Sequence, residues 1–228
     1  MPALAEIVPA DFAPARRNMV ESQLRPNKIV DERILAAMET LPREDFLPNA
    51  VGARAYIDED VAVAPGRYLM EPMILARLVQ ELEIAPGDRV LEIGCNTGYG
   101  AALLSQLATD VWAIDGDQAL ILEAAGHARR LGRSFQAFCA PLAQGLPDHG
   151  PFNAILVHGA VAFVPDVWGM QLAEGGRMAV VVTEGNVAAL VGRVRLYRKT
   201  GGALTFRTLC DANIKVLPGF EARAHFVF

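Results

Sequence analysis

The chain has 228 residues, 52% of them hydrophobic, and a formal net charge of −5 at pH 7. This length suits one large or two small domains with a sizeable core, and the negative charge argues against general binding to nucleic acids or membrane surfaces. Apolar runs such as residues 178–182 are too short to cross a bilayer, and the N-terminal residues lack the pattern of a secretory signal. We therefore expect a cytoplasmic protein.

Cysteine and histidine are sparse in this chain. The three cysteines, Cys95, Cys139 and Cys210, show no close pairing, and the four histidines are scattered. This usage is typical of reduced thiols and gives no support to a metal site. We therefore expect neither a disulfide nor a bound metal.

The N-terminal third predicts a helical cap. Residues 1–15 contain three prolines and five alanines, and we expect them to form a flexible arm. Within residues 16–48, Asp31 is placed to cap a helix that has one buried apolar face. A second amphipathic helix is predicted over residues 73–82, because Pro72 suits the first helical position.

The rest of the chain alternates between strands and helices. The predicted strands are residues 89–93, 111–114, 135–139, 154–157 and 177–182, with helices at 99–107 and 117–131. This alternation favours a parallel sheet with helices on its faces. Three β-rich stretches follow, at residues 188–197, 203–210 and 222–228, and favour a final antiparallel addition. We expect one domain over residues 16–228, made of a cap (16–83) and an α/β core (84–228).

Residues 88–101 carry the most informative pattern of the chain. An apolar strand ends in a Gly-rich turn, Gly94-Cys-Asn-Thr-Gly98, and a helical segment follows. Asp115 closes the next strand, 21 residues after Gly94. Glycines in such a turn let the backbone approach a ligand, and the acid accepts hydrogen bonds from ribose hydroxyls. The segment therefore predicts a nucleoside-binding unit.

Three interpretations of this unit compete. Dinucleotides usually need G-x-G-x-x-G, and Asn96 stands where the middle glycine would be, although asparagine tolerates a left-handed backbone well. Glu92, two residues before Gly94, would repel a pyrophosphate and suits a cationic ligand. This favours S-adenosylmethionine, whose sulfonium and ammonium are positive, and leaves a dinucleotide or an empty structural turn as alternatives. The candidate cofactor-binding residues are Glu92, Gly94, Cys95, Asn96, Gly98 and Asp115.

Six segments of the chain follow a recognisable order and spacing. They are Arg-Ile-Leu-Ala-Ala-Met-Glu-Thr-Leu-Pro-Arg-Glu-Asp-Phe-Leu-Pro (33–48), Ala-Tyr-Ile-Asp (55–58), Glu-Pro-Met-Ile-Leu-Ala-Arg-Leu (71–78), Val-Leu-Glu-Ile-Gly with the following Gly-Tyr (90–99), Pro-Phe-Asn-Ala-Ile-Leu-Val-His-Gly-Ala (151–160) and Leu-Ala-Glu-Gly-Gly-Arg (172–177). Over roughly residues 17–220, the chain thereby resembles the protein-L-isoaspartate O-methyltransferases.

The resemblance implies an α/β fold, a Rossmann-like seven-stranded methyltransferase sheet with an N-terminal helical cap and S-adenosylmethionine as cofactor. It also implies a repair activity that methyl-esterifies isoaspartyl, and D-aspartyl, carboxylates in damaged proteins. The partner is then a protein or peptide that bears isoaspartate, with no nucleic-acid or membrane partner. The sequence leaves the oligomeric state open, and we favour a monomer.

The chain departs from the family pattern at residues of the substrate site. Where the family carries Pro-Ile-Gly-x-Gly-Gln-Thr-Ile-Ser as its substrate loop, this chain has Ala-Val-Ala-Pro-Gly-Arg-Tyr-Leu-Met (62–70). Tyr68 and Met70 thus replace the Thr and the Ser, whose hydroxyls line the substrate site in the family. A hydroxyl donates a hydrogen bond and a thioether cannot, so backbone N–H groups, Arg67 or Tyr68 have to compensate. His158 replaces a Thr or Ser after the fourth strand of the core.

Met70, Tyr68 and His158 are therefore the candidate catalytic residues, and two further functions stay open. One is a divergent methyltransferase with a different small-molecule or protein acceptor, in which His158 is the general base for a hydroxyl or amine. The other is a non-catalytic relative that keeps the fold and the cofactor without turnover. A structural histidine is the alternative role for His158. After the third strand of the core, Ala140-Pro-Leu142 replaces the family's Gly-Asp-Gly, whose Asp helps to hold the adenine.

Overall fold

The computed structural model describes residues 11–48, 52–184 and 191–222. The α-helices in these ranges are α1 (Ala13–Met19), α2 (Glu32–Thr40), α3 (Pro72–Glu81), α4 (Tyr99–Leu104), α5 (Gln118–Arg130) and α6 (Asp166–Met170). The strands are β1 (Val61–Ala64), β2 (Arg67–Leu69), β3 (Arg89–Ile93), β4 (Asp110–Asp115), β5 (Gln136–Cys139), β6 (Phe152–Val161), β7 (Leu172–Glu184), β8 (Val191–Thr200) and β9 (Ala203–Ala212). None of these helices combines the length and the apolar character needed to span a membrane.

Seven strands form one sheet, in the order β5-β4-β3-β6-β7-β8-β9. The strands from β5 to β7 pair in parallel, and β8 and β9 are added antiparallel. The predicted seven-stranded α/β sheet is therefore confirmed, including its antiparallel addition. The prediction was too short for β6 and β7, and residues 188–190 and 223–228 of the predicted β-rich stretches lie outside the described residues.

The cap packs directly on the core. Asp31 caps α2 as predicted, because its carboxylate accepts the Arg33 N–H at 2.9 Å. Leu35 of α2 and Leu75 of α3 are buried in the same hydrophobic cluster as Val90 of β3. Cap and sheet therefore share one core. Helix α1 already begins at Ala13, inside the stretch 1–15 that we expected to be an arm, and residues 1–10 lie outside the described residues.

A short β-hairpin, β1–β2, lies between α2 and α3 within the cap and was not predicted. Its strands pair antiparallel, with Val61 opposite Leu69, around a turn at Gly66, which has a φ of 69°. Strands of four and three residues are too short to show a two-residue period, and the stretch is rich in Gly, Ala and Val. The hairpin places the candidate substrate loop at the carboxyl edge of the sheet.

A C-terminal segment crosses the same edge. Ala160, at the end of β6, donates its N–H to the Lys215 carbonyl at 3.0 Å and accepts the Leu217 N–H at 2.8 Å. Leu217 and Phe220 are buried in the hydrophobic cluster on the face of the sheet opposite to the cap. The carboxyl ends of β3, β4 and β6 are thus enclosed between this segment and the hairpin, and in α/β sheets ligands bind at that edge.

Candidate active site

The Gly-rich turn is held to the end of β4. Gly94 and Cys95 both donate their N–H groups to the Ile114 carbonyl, at 2.8 and 3.0 Å. Asn96 adopts the expected left-handed conformation, with a φ of 54°, and Gly98 has a φ of 92°. Cys95 is buried, and burial raises the pKa of its thiol well above the ordinary value, which fits a small apolar residue rather than a nucleophile.

Asp115 lies at the carboxyl end of β4, and its carboxylate oxygens face the Gly-rich turn and the hairpin. Its Oδ2 accepts the Asn96 N–H at 2.9 Å and also pairs with the Arg67 guanidinium, while its Oδ1 accepts the Asp117 N–H at 3.1 Å. Helix α5 is capped by Asp117, which accepts the Ala119 N–H at 2.8 Å. Asp115 is therefore not needed as a helix cap and is available to a ligand.

A cleft of about 430 Å³ adjoins Asp115. Its lining combines two carboxylates and a guanidinium with apolar side chains, and it includes Arg67, Asp115, Asp117, Pro141, Leu142 and Phe220. An acid suits a ribose, and apolar side chains suit the faces of a purine. The residues present thus fit the adenosine part of S-adenosylmethionine, although Pro141 offers the base an apolar contact where the family has an acid.

Glu92 and His158 form a buried pair below the turn. His158 Nε2 accepts the Met70 backbone N–H at 3.1 Å, so this nitrogen carries no proton, and Nδ1–H donates to Glu92 Oε1 at 2.7 Å. Both side chains are fully buried. Burial raises the pKa of the Glu92 carboxyl, and the hydrogen bond from His158 opposes that rise. Because both ring nitrogens are engaged, His158 has no free lone pair with which to accept a proton.

The hairpin residues Tyr68 and Met70 occupy different environments. Met70 is 1% exposed, and its side chain belongs to the hydrophobic core, while its carbonyl accepts a hydrogen bond from Arg43 at 2.6 Å. Tyr68 is half-buried, and its carbonyl accepts the Asn96 side-chain N–H at 2.8 Å. Tyr68 and Met70 border a cavity of about 10 Å³, together with Asp60, His158, Lys215 and Leu217.

The sequence did not predict the contacts that four further residues make at this edge of the sheet. Arg43 is fully buried below the hairpin and donates to the Ala55 carbonyl at 2.7 Å. Asp60 accepts the N–H groups of Glu71 and Lys215, Leu217 covers the turn, and Arg67 pairs with Asp115. Each contact joins residues that are at least 11 positions apart in sequence, so a local pattern does not reveal it.

Glu71 lies in an acidic surrounding beside the hairpin. Burial, followed by repulsion from Asp58, Asp60 and Glu59, raises the pKa of its carboxyl from 4.5 to about 7. Because the folded pKa is the higher one, the stability linked to Glu71 is fully present below pH 4.5 and is lost as the pH rises through 7.

We expect Glu71→Gln to raise the melting temperature at pH 8 by about 2–4 °C, equivalent to about 1 kcal/mol, and to change it little at pH 4. Thermal unfolding at the two pH values measures this. Glu83→Gln is the control, because Glu83 is 71% exposed, and its substitution should have the same small effect at both. A Glu71→Gln effect of equal size at pH 4 and pH 8 would contradict the assigned pKa.

The chain is similar to known proteins along most of its length. Residues 15–210 match the family described as Protein-L-isoaspartate(D-aspartate) O-methyltransferase. The Protein-L-isoaspartate O-methyltransferase of Koribacter versatilis (strain Ellin345) is 39% identical over 209 residues, which cover 91% of this chain and 92% of the relative. The enzyme of the same name from Roseiflexus castenholzii is 38% identical over 213 residues, with coverages of 93% and 95%.

Solved structures of proteins with the same description share the fold of this chain. A protein-L-isoaspartate O-methyltransferase structure matches with a TM-score of 0.75 at 25% identity, and the match covers 89% of this chain and 66% of that chain. A Plasmodium falciparum beta-aspartate methyltransferase, crystallised with S-adenosyl-L-homocysteine, shares the fold with a TM-score of 0.74 at 19% identity, covering 89% and 97%. The chain therefore belongs to the protein-L-isoaspartate(D-aspartate) O-methyltransferase family and is a methyltransferase that depends on S-adenosylmethionine.

Proposed function

We propose that this methyltransferase esterifies the carboxylate of isoaspartyl residues, and of D-aspartyl residues, in damaged proteins and peptides. The proposal rests on one observation in a chain of this family: strand β2 borders both the cleft beside Asp115 and the small cavity beside His158. Arg67 of β2 borders the cleft beside Asp115, and Tyr68 of β2 borders the cavity that faces His158. A nucleoside site and an acceptor site have to adjoin in this way for direct group transfer.

The proposed chemistry needs orientation more than acid–base catalysis. S-Adenosylmethionine, when bound, supplies an electrophilic methyl group on a sulfonium. Asp115 would hold the ribose, and the Glu92–His158 pair fixes the Met70 backbone and thereby the hairpin. A carboxylate acceptor is already ionised at pH 7, so the reaction requires no general base. This agrees with a positioning role for His158, whose ring nitrogens are both engaged.

The acceptor carboxylate still needs hydrogen-bond donors, since the family's Thr and Ser are replaced. We assign this role to Tyr68 and Lys215, which both border the small cavity, with the Lys215 Nζ 6.0 Å from the centre of the Tyr68 ring. A phenolic O–H and an ammonium both donate to carboxylates. All the residues invoked belong to one chain, so we propose the monomer as the functional unit. The three free cysteines fit a cytoplasmic location.

We expect Met70→Ser to give no gain in isoaspartyl methylation, because residue 70 directs its side chain into the core. The variant should instead lose about 2–4 kcal/mol of stability through the cavity it leaves. Met38→Ser is the matched control, since Met38 is equally buried but lies in the cap. The measurement is kcat/KM below the melting temperature of both variants. A tenfold gain for Met70→Ser alone would mean that the native loop serves another acceptor.

One observation favours a second candidate, a divergent methyltransferase with a different acceptor. The cavity at Tyr68 has a volume of about 10 Å³, which is room for one water molecule at most. An isoaspartyl side chain therefore enters only if the hairpin or the segment with Leu217 moves, whereas the established family pattern has small hydroxyl residues in the hairpin. This candidate predicts that isoaspartate does not promote methylation.

Labelling of a protein before and after ageing tests the proposed function. A pure protein is incubated at elevated temperature to accumulate isoaspartate, and transfer of labelled methyl groups from S-adenosylmethionine is compared with that to the fresh protein. The proposal predicts strong labelling of the aged sample, removed by mild alkali as expected for an ester. Equal labelling of both samples, or an alkali-stable label, would favour the divergent acceptor.

A further inference from the structure

Arg67 pairs with the Asp115 carboxylate and thereby takes up one of the hydrogen-bonding positions that a bound nucleoside would use. The Arg67 and Asp115 side chains are 7% and 2% exposed, and the guanidinium pairs with Asp115 Oδ2. The backbone N–H groups of Asn96 and Asp117 also donate to this carboxylate. A carboxylate offers about four lone-pair positions, so three are in use and one remains.

A ribose brings two neighbouring hydroxyl donors to a single free position. One of the three present donors therefore has to leave when both hydroxyls bind. The N–H groups of Asn96 and Asp117 are fixed, because the first lies in the turn that is tied to Ile114 and the second in the cap of α5. Arg67 is the donor that comes from a separate element, the hairpin, at the end of a long side chain.

The hydrogen-bonding capacity of the Arg67 guanidinium is also only partly used. Its Nε is buried and has no hydrogen-bond partner within the described part of the chain. The guanidinium borders the cleft of about 430 Å³, so it has space into which to move. A buried donor without a partner lowers the cost of leaving the site. The related loop pattern has a neutral Gln at this position, so the charge is a property of this chain.

We propose that Arg67 sets the affinity for the cofactor by holding Asp115 in its absence and by yielding this carboxylate to the ribose diol; the inference rests on the proposed function in its choice of cofactor. Arg67 is then a residue that discriminates between nucleosides. A ligand with both ribose hydroxyls has to displace it, and a 2′-deoxy ligand binds at the free position without displacing it.

Calorimetric titration of the full chain tests this proposal with S-adenosylhomocysteine and its 2′-deoxy analogue. We expect Arg67→Gln to bind S-adenosylhomocysteine about tenfold more tightly than wild type, the size of one charge-assisted hydrogen bond. The 2′-deoxy analogue should change by less than about threefold, because it does not compete with Arg67. Arg33→Gln is the matched control, since Arg33 is half-exposed, pairs with Asp31 and lies in α2.

Unchanged or weaker binding of S-adenosylhomocysteine by Arg67→Gln would overturn the proposal. Equal tightening of both ligands would also overturn it, because that result indicates a wider cleft rather than competition for Asp115. If circular dichroism shows that Arg67→Gln is unfolded, Arg67→Lys is titrated instead, and its flexible ammonium should yield about threefold more readily. If neither wild type nor any folded variant binds S-adenosylhomocysteine, both the inference and the proposed function fail. If wild type binds but Arg67→Gln binds no more tightly, only the inference fails.

Discussion

Gly100→Ala is expected to lower the stability by about 3 kcal/mol, which corresponds to a fall in melting temperature of about 6–12 °C. Gly100 is the second residue of α4 and lies against the buried pair. A Cβ at this position would overlap the Glu92 carboxylate and lie 2.9 Å from His158 Nδ1. The pair would have to separate, and a buried charge that loses its partner is costly.

Gly126→Ala is the matched control for this effect. Gly126 lies inside α5, and a Cβ there meets no atom within 4 Å. The same substitution should therefore stabilise the protein by about 0.5–1 kcal/mol, because alanine is the better helix former. Thermal unfolding of both variants at one pH measures the difference. A Gly100→Ala variant as stable as wild type would show that the Glu92–His158 contact is not tightly packed.

Asp115→Asn is expected to weaken binding of S-adenosylhomocysteine by about 10–100-fold, the loss of one hydrogen bond to a charged acceptor. The amide keeps the shape of the carboxylate but offers one acceptor oxygen in place of two. That single oxygen cannot serve the Asn96 and Asp117 N–H groups and a ribose together. Calorimetric titration at constant pH and salt measures the dissociation constant.

Asp110→Asn provides the control on the same strand. Asp110 begins β4 at the opposite edge of the sheet, where its carboxylate accepts hydrogen bonds from Arg89 at 2.6 Å and from Trp112 at 2.7 Å. Its substitution should leave the affinity for S-adenosylhomocysteine within about twofold of wild type. Equal affinities for the two variants would remove Asp115 from the cofactor site.

The nucleoside unit was predictable because its signals are local. The apolar run of β3, the left-handed position of Asn96 and the acid at the end of β4 lie within a short stretch, and the structure brings them together as expected. The cap Asp31 was predictable for the same reason, and Asp117 caps α5 in the same way. Each is a short polar side chain that bonds an N–H two residues ahead.

The acceptor side was not predictable from such signals. His158 bonds to Met70 across 88 residues, and Arg67 reaches Asp115 across 48. A single His or Arg shows no periodicity that names its partner, so the sequence left His158 open as a base or a structural residue. The resemblance aligned Met70 with a hydroxyl residue, but alignment alone does not show that the Met70 side chain turns into the core.

The proposed acceptor is tested most directly by initial rates of methyl transfer to a synthetic isoaspartyl peptide and to the same peptide with a normal aspartyl residue. We expect selective transfer to the isoaspartyl peptide by the wild-type protein, inhibited by S-adenosylhomocysteine. This would establish that isoaspartyl methylation in this protein does not depend on the Thr and Ser hydroxyls of the family's substrate loop. If a preparation binds S-adenosylhomocysteine but labels neither peptide, or both equally, isoaspartate is not its acceptor and the central claim is wrong.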